Sequence, residues 1–385
     1  MKIAPLYHAL KRESWANPLI IHTGQHYDLN MSDAFFVDLG LPNPDINLGV
    51  GSGTHAEQTG KAMIAYEKVL TEEKPDLVVV VGDVNSTLAC TIAASKISYK
   101  TINTINSSNT TNIYPVKFFE KDSGAHLTGA TNRERPLVAH LEAGLRSFDR
   151  TMPEEINRLV TDALADILWT PSQDADENLI REGITPSKIK RVGNIMIDSL
   201  EMLREKIEKQ NVHKEFQLDR QGYGLVTLHR PSNVDDPVVL KKLCKAMVQI
   251  AKKIPLVFPI HPRTRKNLEQ NQLLQIVDNN KRLFLPEPLS YIRFMNMIFN
   301  CRFVITDSGG IQEETTYLGI PCLTIRPNTE RPITITHGTN QLCEVKDLED
   351  KTGAIISGRI PQANKIEYWD GKTAHRIVEF LRGLA

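Results

Sequence analysis

The sequence predicts an α/β protein built as two parallel-sheet domains facing a cleft, and three observations carry that reading. The chain has 385 residues, too many for one ordinary hydrophobic core and enough for two domains of roughly 150 to 200 residues each. Short β-branched runs closed by polar or glycine-containing turns alternate with helical patterns, as in sheets assembled from βαβ units. The densest groups of ionisable residues follow the C-terminal ends of those runs, where open parallel sheets bind their ligands.

Taken in order, a first series of strands falls over residues 18–23, 46–50, 77–82, 137–141 and 167–170. A second series falls over 189–192, 224–228, 256–259, 282–285, 303–306 and 321–325. The crossing between domains is placed near Pro171-Ser172, which gives a first domain of 1–170 and a second of 171–371. A last helix over 372–385 carries Ile377, Phe380 and Leu381 at helical spacing. Residues 101–134, rich in Asn, Thr and Ser, read as an inserted surface loop.

Composition narrows the function. Lysine plus arginine equals aspartate plus glutamate at 46 each, so no overall field points to nucleic acid or to an anionic membrane surface, and any anion site is local. No apolar run approaches the ~20 residues of a membrane span, and the N-terminus lacks a signal-peptide core. The five cysteines are scattered, without a Cys-x-x-Cys pair, and read as reduced core residues of a soluble, cytoplasmic protein. No cysteine–histidine spacing suits a metal. Gly51-Ser52-Gly53 loosely fits a dinucleotide fingerprint but lacks the acidic ribose ligand about 20 residues on, so no cofactor is expected.

The chemistry concentrates in a few segments. Glu142 leaves the strand over 137–141 and is followed by Arg146, Glu154 and Arg158, a set suited to moving protons beside an anionic substrate. For Glu142 the plainer alternative is a loop acid paired with Arg146 at i,i+4. For Glu154 it is a capping box, since Thr151-Met152-Pro153-Glu154 has the Thr-x-x-Glu spacing. Asp83 ends the run over 77–81, where a helix-capping role is the alternative. Ser308-Gly309-Gly310 joins a strand to a helix, and two glycines there let the backbone approach a pyrophosphate at the helix N-terminus. His229, at a strand end beside Arg230, and His261, before Pro262, are weighed against purely structural histidines.

With these motifs on the page, the chain resembles the non-hydrolysing UDP-N-acetylglucosamine 2-epimerases. The resemblance rests on Gly82-Asp83, the Glu142 to Arg158 segment, Thr227-Leu228-His229-Arg230, Pro259-Ile260-His261-Pro262, Thr306-Asp307-Ser308-Gly309-Gly310 with Glu313-Glu314, and Thr329-Glu330-Arg331-Pro332, in the family's order across nearly the whole chain. It implies two Rossmann-like domains of the GT-B type, with the last helix returning to the first lobe. It implies a UDP-sugar substrate, a homodimer, and Asp83, Glu142 and Glu154 as proton-transfer groups. By the same resemblance His229, Arg230, Ser308, Gly309, Gly310 and Arg331 hold UDP, Glu314 holds the ribose, and Lys2 stands near the site. Arg146 and His261 are taken as further substrate contacts, and Gln25 and His26 match a loop lining the family's cleft.

Two departures from the family pattern stand out: the first strand, with its Gly-(Ala/Thr)-Arg-Pro loop, is missing ahead of Lys2, and the 101–134 segment replaces a short turn. Three other readings stay open: a 2-epimerase acting on a UDP-2,3-diacetamido sugar uronate, a retaining GT-B glycosyltransferase, and a UDP-sugar-binding protein impaired by the missing strand.

Overall fold

A computed structural model describes residues 1–24, 36–99, 134–360 and 363–384. The chain enters through a helix, Ile3–Leu10, and then builds strands that all pair in parallel. The first-lobe strands are β1 Ile21–His22, β2 Ile46–Asn47, β3 Leu77–Val81, β4 Leu137–Leu141, β5 Ile167–Thr170 and β6 Ile189–Arg191. They form a two-stranded sheet, β1-β2, and a four-stranded sheet in the order β3-β4-β5-β6. The second-lobe strands are β7 Gly224–Thr227, β8 Leu256–Val257, β9 Leu283–Phe284, β10 Phe303–Thr306, β11 Cys322–Thr324 and β12 Asn340–Leu342. Their order is β12-β11-β10-β7-β8-β9, so the switch in strand order falls between β7 and β10, where open sheets place their ligands.

The strands read as unbroken apolar runs because helices cover both faces of each sheet. In the first lobe, Val78, Val80, Val138 and Leu168 turn toward the helices His55–Glu73 and Asn85–Lys96. The alternate residues Ala139, Leu141, Ile167 and Trp169 turn to the opposite face. There they meet Leu6 of the entry helix and Ile377, Val378 and Leu381 of the C-terminal helix, Thr373–Arg382. Ile21 and Ile46 of the two-stranded sheet pack on the same cluster as Val78 and Val80. In the second lobe, Val226, Phe303 and Ile305 face one apolar cluster while Leu225 and Val304 face the other.

Two sequence expectations need correction. β6 pairs with β5, so the first sheet runs well past residue 170. The proline turn at Pro171-Ser172 opens the helix Gln173–Arg181, a crossover inside the lobe, and the chain passes on through the helix Ile195–Glu208. That helix gives Ile195 to the first-lobe cluster and Leu200, Leu203 and Ile207 to the second. β12 was not anticipated: Asn340-Gln341-Leu342 is too short and too polar to stand out, and as an outer strand it needs little side-chain burial. The insertion over 101–134 lies, apart from Glu134, outside the described residues. All five cysteines are buried and unpaired.

Candidate active site at the cleft

Two tight turns and a helix start carry the first-lobe acids. Gly82 ends β3 with φ +68° and places Asp83 beyond the sheet; a Cβ at Gly82 would stand 3.2 Å from Lys2 Nζ and 3.5 Å from Glu142 Oε2, so glycine leaves room for that pair. Glu142 ends β4 in the left-handed region, φ +75°, and forms a salt bridge with Lys2 through Oε2. Its Oε1 is buried without a hydrogen-bond partner among the described residues. Burial opposes the charge on Lys2, but Glu142 and Asp83 together raise its pKa. Lys2, and not Arg146, is therefore the partner of Glu142.

Glu154 lies in the first turn of the helix Pro153–Leu164. The capping box does not form: the N-cap is Met152, and Thr151 donates instead to Asp149 Oδ1. Glu154 is thus free of a capping role, and half-buried. The neighbouring residues, one helical step on, are structural. Glu155 accepts from Ser147 N at 3.0 Å, Phe148 N at 2.9 Å and Arg158 Nη2 at 2.6 Å. Arg158 also holds the Asp83 carboxylate, while Asn157 donates to the Asp83 carbonyl at 2.9 Å.

On the second-lobe wall, buried Asp307 at the end of β10 accepts from His229 N, Arg230 N at 3.0 Å and Asn233 Nδ2 at 3.0 Å. It also lies 3.1 Å from His229 Nδ1, so it fixes the His229-Arg230 turn while the imidazole stays half-exposed. Burial, and next to it the charge of Arg326, lowers the Arg230 pKa. Ser308 stands at the N-cap of the helix Gly309–Leu318 but makes no side-chain cap, so the amides of its first turn remain for a ligand. A Cβ at Gly309 would sit 2.7 Å from Arg331 Nη1 and 2.8 Å from Glu330 Oε1; only glycine lets the arginine lie across the turn.

Arg331 is held by Glu313 at 3.0 Å and by Glu330, and Glu313 in turn accepts from Asn194 Nδ2 at 2.9 Å. Burial pushes the Glu313 carboxyl up to about 7, with Arg331 opposing and the Glu142 charge adding. Burial likewise lifts Glu314 to about 7, and it accepts from Tyr291 Oη at 2.7 Å. The two walls face each other electrostatically: Arg331 lies in the field of Glu142 and Asp83, and Arg230 in that of Glu154. The result is an arrangement with carboxylates on one side and guanidinium groups with helix amides on the other.

Lys2, Asp83, Glu142, Glu154, Arg230, Gly309 and Arg331 are thus brought together, with Ser308 and His229 at the rim of the same turns. Two residues have structural partners instead. Arg146 is 1% exposed and locked to Asp162 at 2.7 Å and Glu182 at 2.6 Å, so it braces the fold. His261 is the N-cap of the helix Pro262–Gln270, its Nδ1 accepting from Arg263 N at 3.2 Å. Gln25 and His26 lie outside the described residues. Glu313 and Glu330 were given no role from sequence, though each adjoins a residue that was, and Arg158, read there as part of the acid–arginine segment, holds Asp83 and Glu155.

The model of the UDP-N-acetylglucosamine 2-epimerase family matches residues 8–103 and 127–382. The chain is 40% identical to the UDP-N-acetylglucosamine 2-epimerase of Methanocaldococcus jannaschii, over 99% of this chain and 95% of that protein. It is 35% identical to the UDP-2,3-diacetamido-2,3-dideoxy-D-glucuronate 2-epimerase of Pseudomonas aeruginosa, over 100% of this chain and 96% of that one. In space it matches the crystal structure of the M. jannaschii UDP-GlcNAc 2-epimerase in complex with UDP-GlcNAc and UDP, with a TM-score of 0.80 over 99% of this chain and 96% of that chain. Two facing lobes of parallel sheet, the acid and arginine walls between them, and identity sustained from end to end lead to one conclusion: this chain belongs to the UDP-N-acetylglucosamine 2-epimerase family.

Proposed function

We propose that the chain interconverts UDP-N-acetylglucosamine and UDP-N-acetylmannosamine, isomerising C2 by eliminating UDP and adding it back. The observation that carries this reading is the pairing of walls: Asp83, Glu142 and Glu154 opposite Arg230, Arg331 and the Ser308-Gly309 turn. The C2 proton is not adjacent to a carbonyl, so direct deprotonation is too costly. As the C1–O bond to UDP breaks, positive character at C1 acidifies the C2 proton. A carboxylate takes that proton, the bond electrons form the C1–C2 double bond of a 2-acetamidoglucal, and UDP leaves as the anion. Protonation of C2 from the opposite face and return of UDP to C1 complete the inversion.

Glu142, with one oxygen unpartnered and the other on Lys2, suits the general base or acid. Asp83 and Glu154 offer the second such group on the same wall. Arg331 and Arg230, with the amides after Ser308, stabilise the departing pyrophosphate. His229, oriented by Asp307, presents its free ring edge to the same anion. Five buried thiols without a disulfide support a cytoplasmic protein, and among the described residues no helix is long and apolar enough to cross a membrane. We further read the working form as a homodimer, which light scattering would check.

A second reading, a 2-epimerase of UDP-2,3-diacetamido sugar uronates, is favoured by the full-length similarity at 35%. Proton NMR in heavy water separates the two. Deuterium at C2 of UDP-N-acetylglucosamine with a new manno anomeric signal supports the first; exchange only with the diacetamido uronate supports the second. Silence with both sinks the epimerase reading.

A further inference from the structure

Behind the cleft lies a buried polar pair that the mechanism above does not use. His140, on β4, is fully buried, and Asp162, near the end of the helix Pro153–Leu164, is 1% exposed. Asp162 Oδ1 lies 2.6 Å from His140 Nδ1. The other ring nitrogen, Nε2, donates to the carbonyl of Gly82 at 2.8 Å. Asp162 Oδ2 accepts from the backbone N–H of Gly144 at 3.0 Å and meets Arg146 at 2.7 Å.

These contacts end on the backbone of two particular turns. Gly82 immediately precedes Asp83, and Gly144 lies two residues beyond Glu142. One buried carboxylate and one imidazole therefore bridge the turn that aims Asp83 and the turn that aims Glu142. A further link, Gly82 N to Leu141 O at 3.0 Å, closes the frame. Glu142 sits in the left-handed region, a conformation that a non-glycine residue keeps only where its surroundings over-determine it. A buried ionic pair of this sort is a poor source of net stability. Its value lies in direction: every polar atom of the pair but one, the oxygen shared with Arg146, is engaged only within the frame.

The geometry points to His140 and Asp162 as positioning residues that set the relative placement of the Asp83 and Glu142 carboxylates during proton transfer. The inference rests on the epimerase reading. Neither residue touches substrate; both act through the two turns. The second-lobe wall, which holds UDP, is not part of the frame, so perturbing the pair should change the chemical step and spare nucleotide binding.

The test compares His140→Leu, His140→Gln and His140→Asn in the full chain, reading kcat, KM, the Kd for UDP, and C2 deuterium incorporation from UDP-N-acetylglucosamine. The glutamine amide reaches the Gly82 carbonyl, as Nε2 does; leucine offers no donor, and the asparagine amide is too short. A displacement near 1 Å in a reacting group costs about 100-fold, so His140→Leu and His140→Asn should lose about 10- to 100-fold in kcat, with KM and the UDP Kd within about threefold, and His140→Gln should recover most of the loss. If His140→Leu does not fold, the glutamine and asparagine variants alone decide, through the same kcat gap at equal UDP affinity. Equal kcat in all variants, or losses of kcat and UDP affinity in parallel, would overturn the positioning role. A wild-type chain that leaves C2 undeuterated in both UDP-N-acetylglucosamine and the UDP-2,3-diacetamido uronate overturns the epimerase reading itself, and the inference with it.

Discussion

On the first-lobe wall of the cleft the acids sit on turns or at a helix start, with Glu142 keeping an unpartnered oxygen and Glu154 outside any cap. On the second-lobe wall Glu313 and Glu330, as buried as Glu142, each pair with a buried guanidinium, Arg331 or Arg326, and Glu314 accepts from Tyr291, although Glu313 Oε2 also lacks a hydrogen-bond partner among the described residues. The same residue type therefore does two jobs. In the function proposed above, one wall offers carboxylates to the reaction, while on the other Glu313 and Glu330 hold guanidinium groups. The difference teaches that a count of acids near a cleft says little until the partners of each oxygen are known.

The sharpest way to break this contrast is at Glu142. Glu142→Gln removes the proton-accepting oxygen while keeping size, and kcat should fall by about 100- to 10,000-fold, with the Kd for UDP by calorimetry within a few-fold. A comparable loss of UDP binding would erase the division between the walls. The buried second-lobe acids make the next largest effect, on stability against pH. Glu313 and Glu314 hold pKa values of about 7 against 4.5 unfolded, so the folded state binds protons that the unfolded state has released. Their favourable contribution is complete below pH 4.5 and is lost as pH rises through 7, about 3 kcal/mol for Glu314. Carboxylates held low, such as Asp307 and Glu330, act in the opposite sense but only below the usual carboxylate range. Urea unfolding should therefore show lower stability at pH 7.5 than at pH 5, and Glu314→Gln should flatten that slope.

Gly309→Ala sharpens the contrast from the nucleotide side. The added Cβ meets Arg331 and Glu330 at under 3 Å, and UDP affinity should weaken about 10- to 100-fold, or about 1.4 to 2.8 kcal/mol, measured by calorimetry. The smallest effect belongs to a side chain whose hydrogen bond is to its own helix. His261→Ala deletes a helix cap and should cost about 1 kcal/mol or less in thermal unfolding, with kcat unchanged.

Much of this was legible in the sequence, for physical reasons that can be named. Strands such as Leu137–Leu141 and Phe303–Thr306 announce themselves because both of their faces are buried, which demands a continuous apolar run. Acids at strand ends were legible for the same topological reason. What sequence does not carry is the choice among neighbours. Arg146 and Arg158 stand in one motif, yet one is locked to Asp162 and Glu182 and the other to Asp83. Those partners are distant in sequence, so only the packed helix and turns decide. Glu154 and Glu155 are adjacent, and one helical step of about 100° sends the second inward to Ser147, Phe148 and Arg158. The domain crossing was misplaced because a proline turn looks alike whether it leaves a lobe or begins a crossover within it.

The left-handed backbone at Glu142 carries a consequence for how this chain can drift. A side chain in that region costs roughly 1 kcal/mol or more, a cost glycine would escape. Glu142→Gly would relieve that backbone but leave the Lys2 ammonium without the carboxylate that supports its charge, which costs more than the relief returns. The strained acid is therefore pinned by charge as well as by use, and it can drift to glycine only if Lys2 drifts with it.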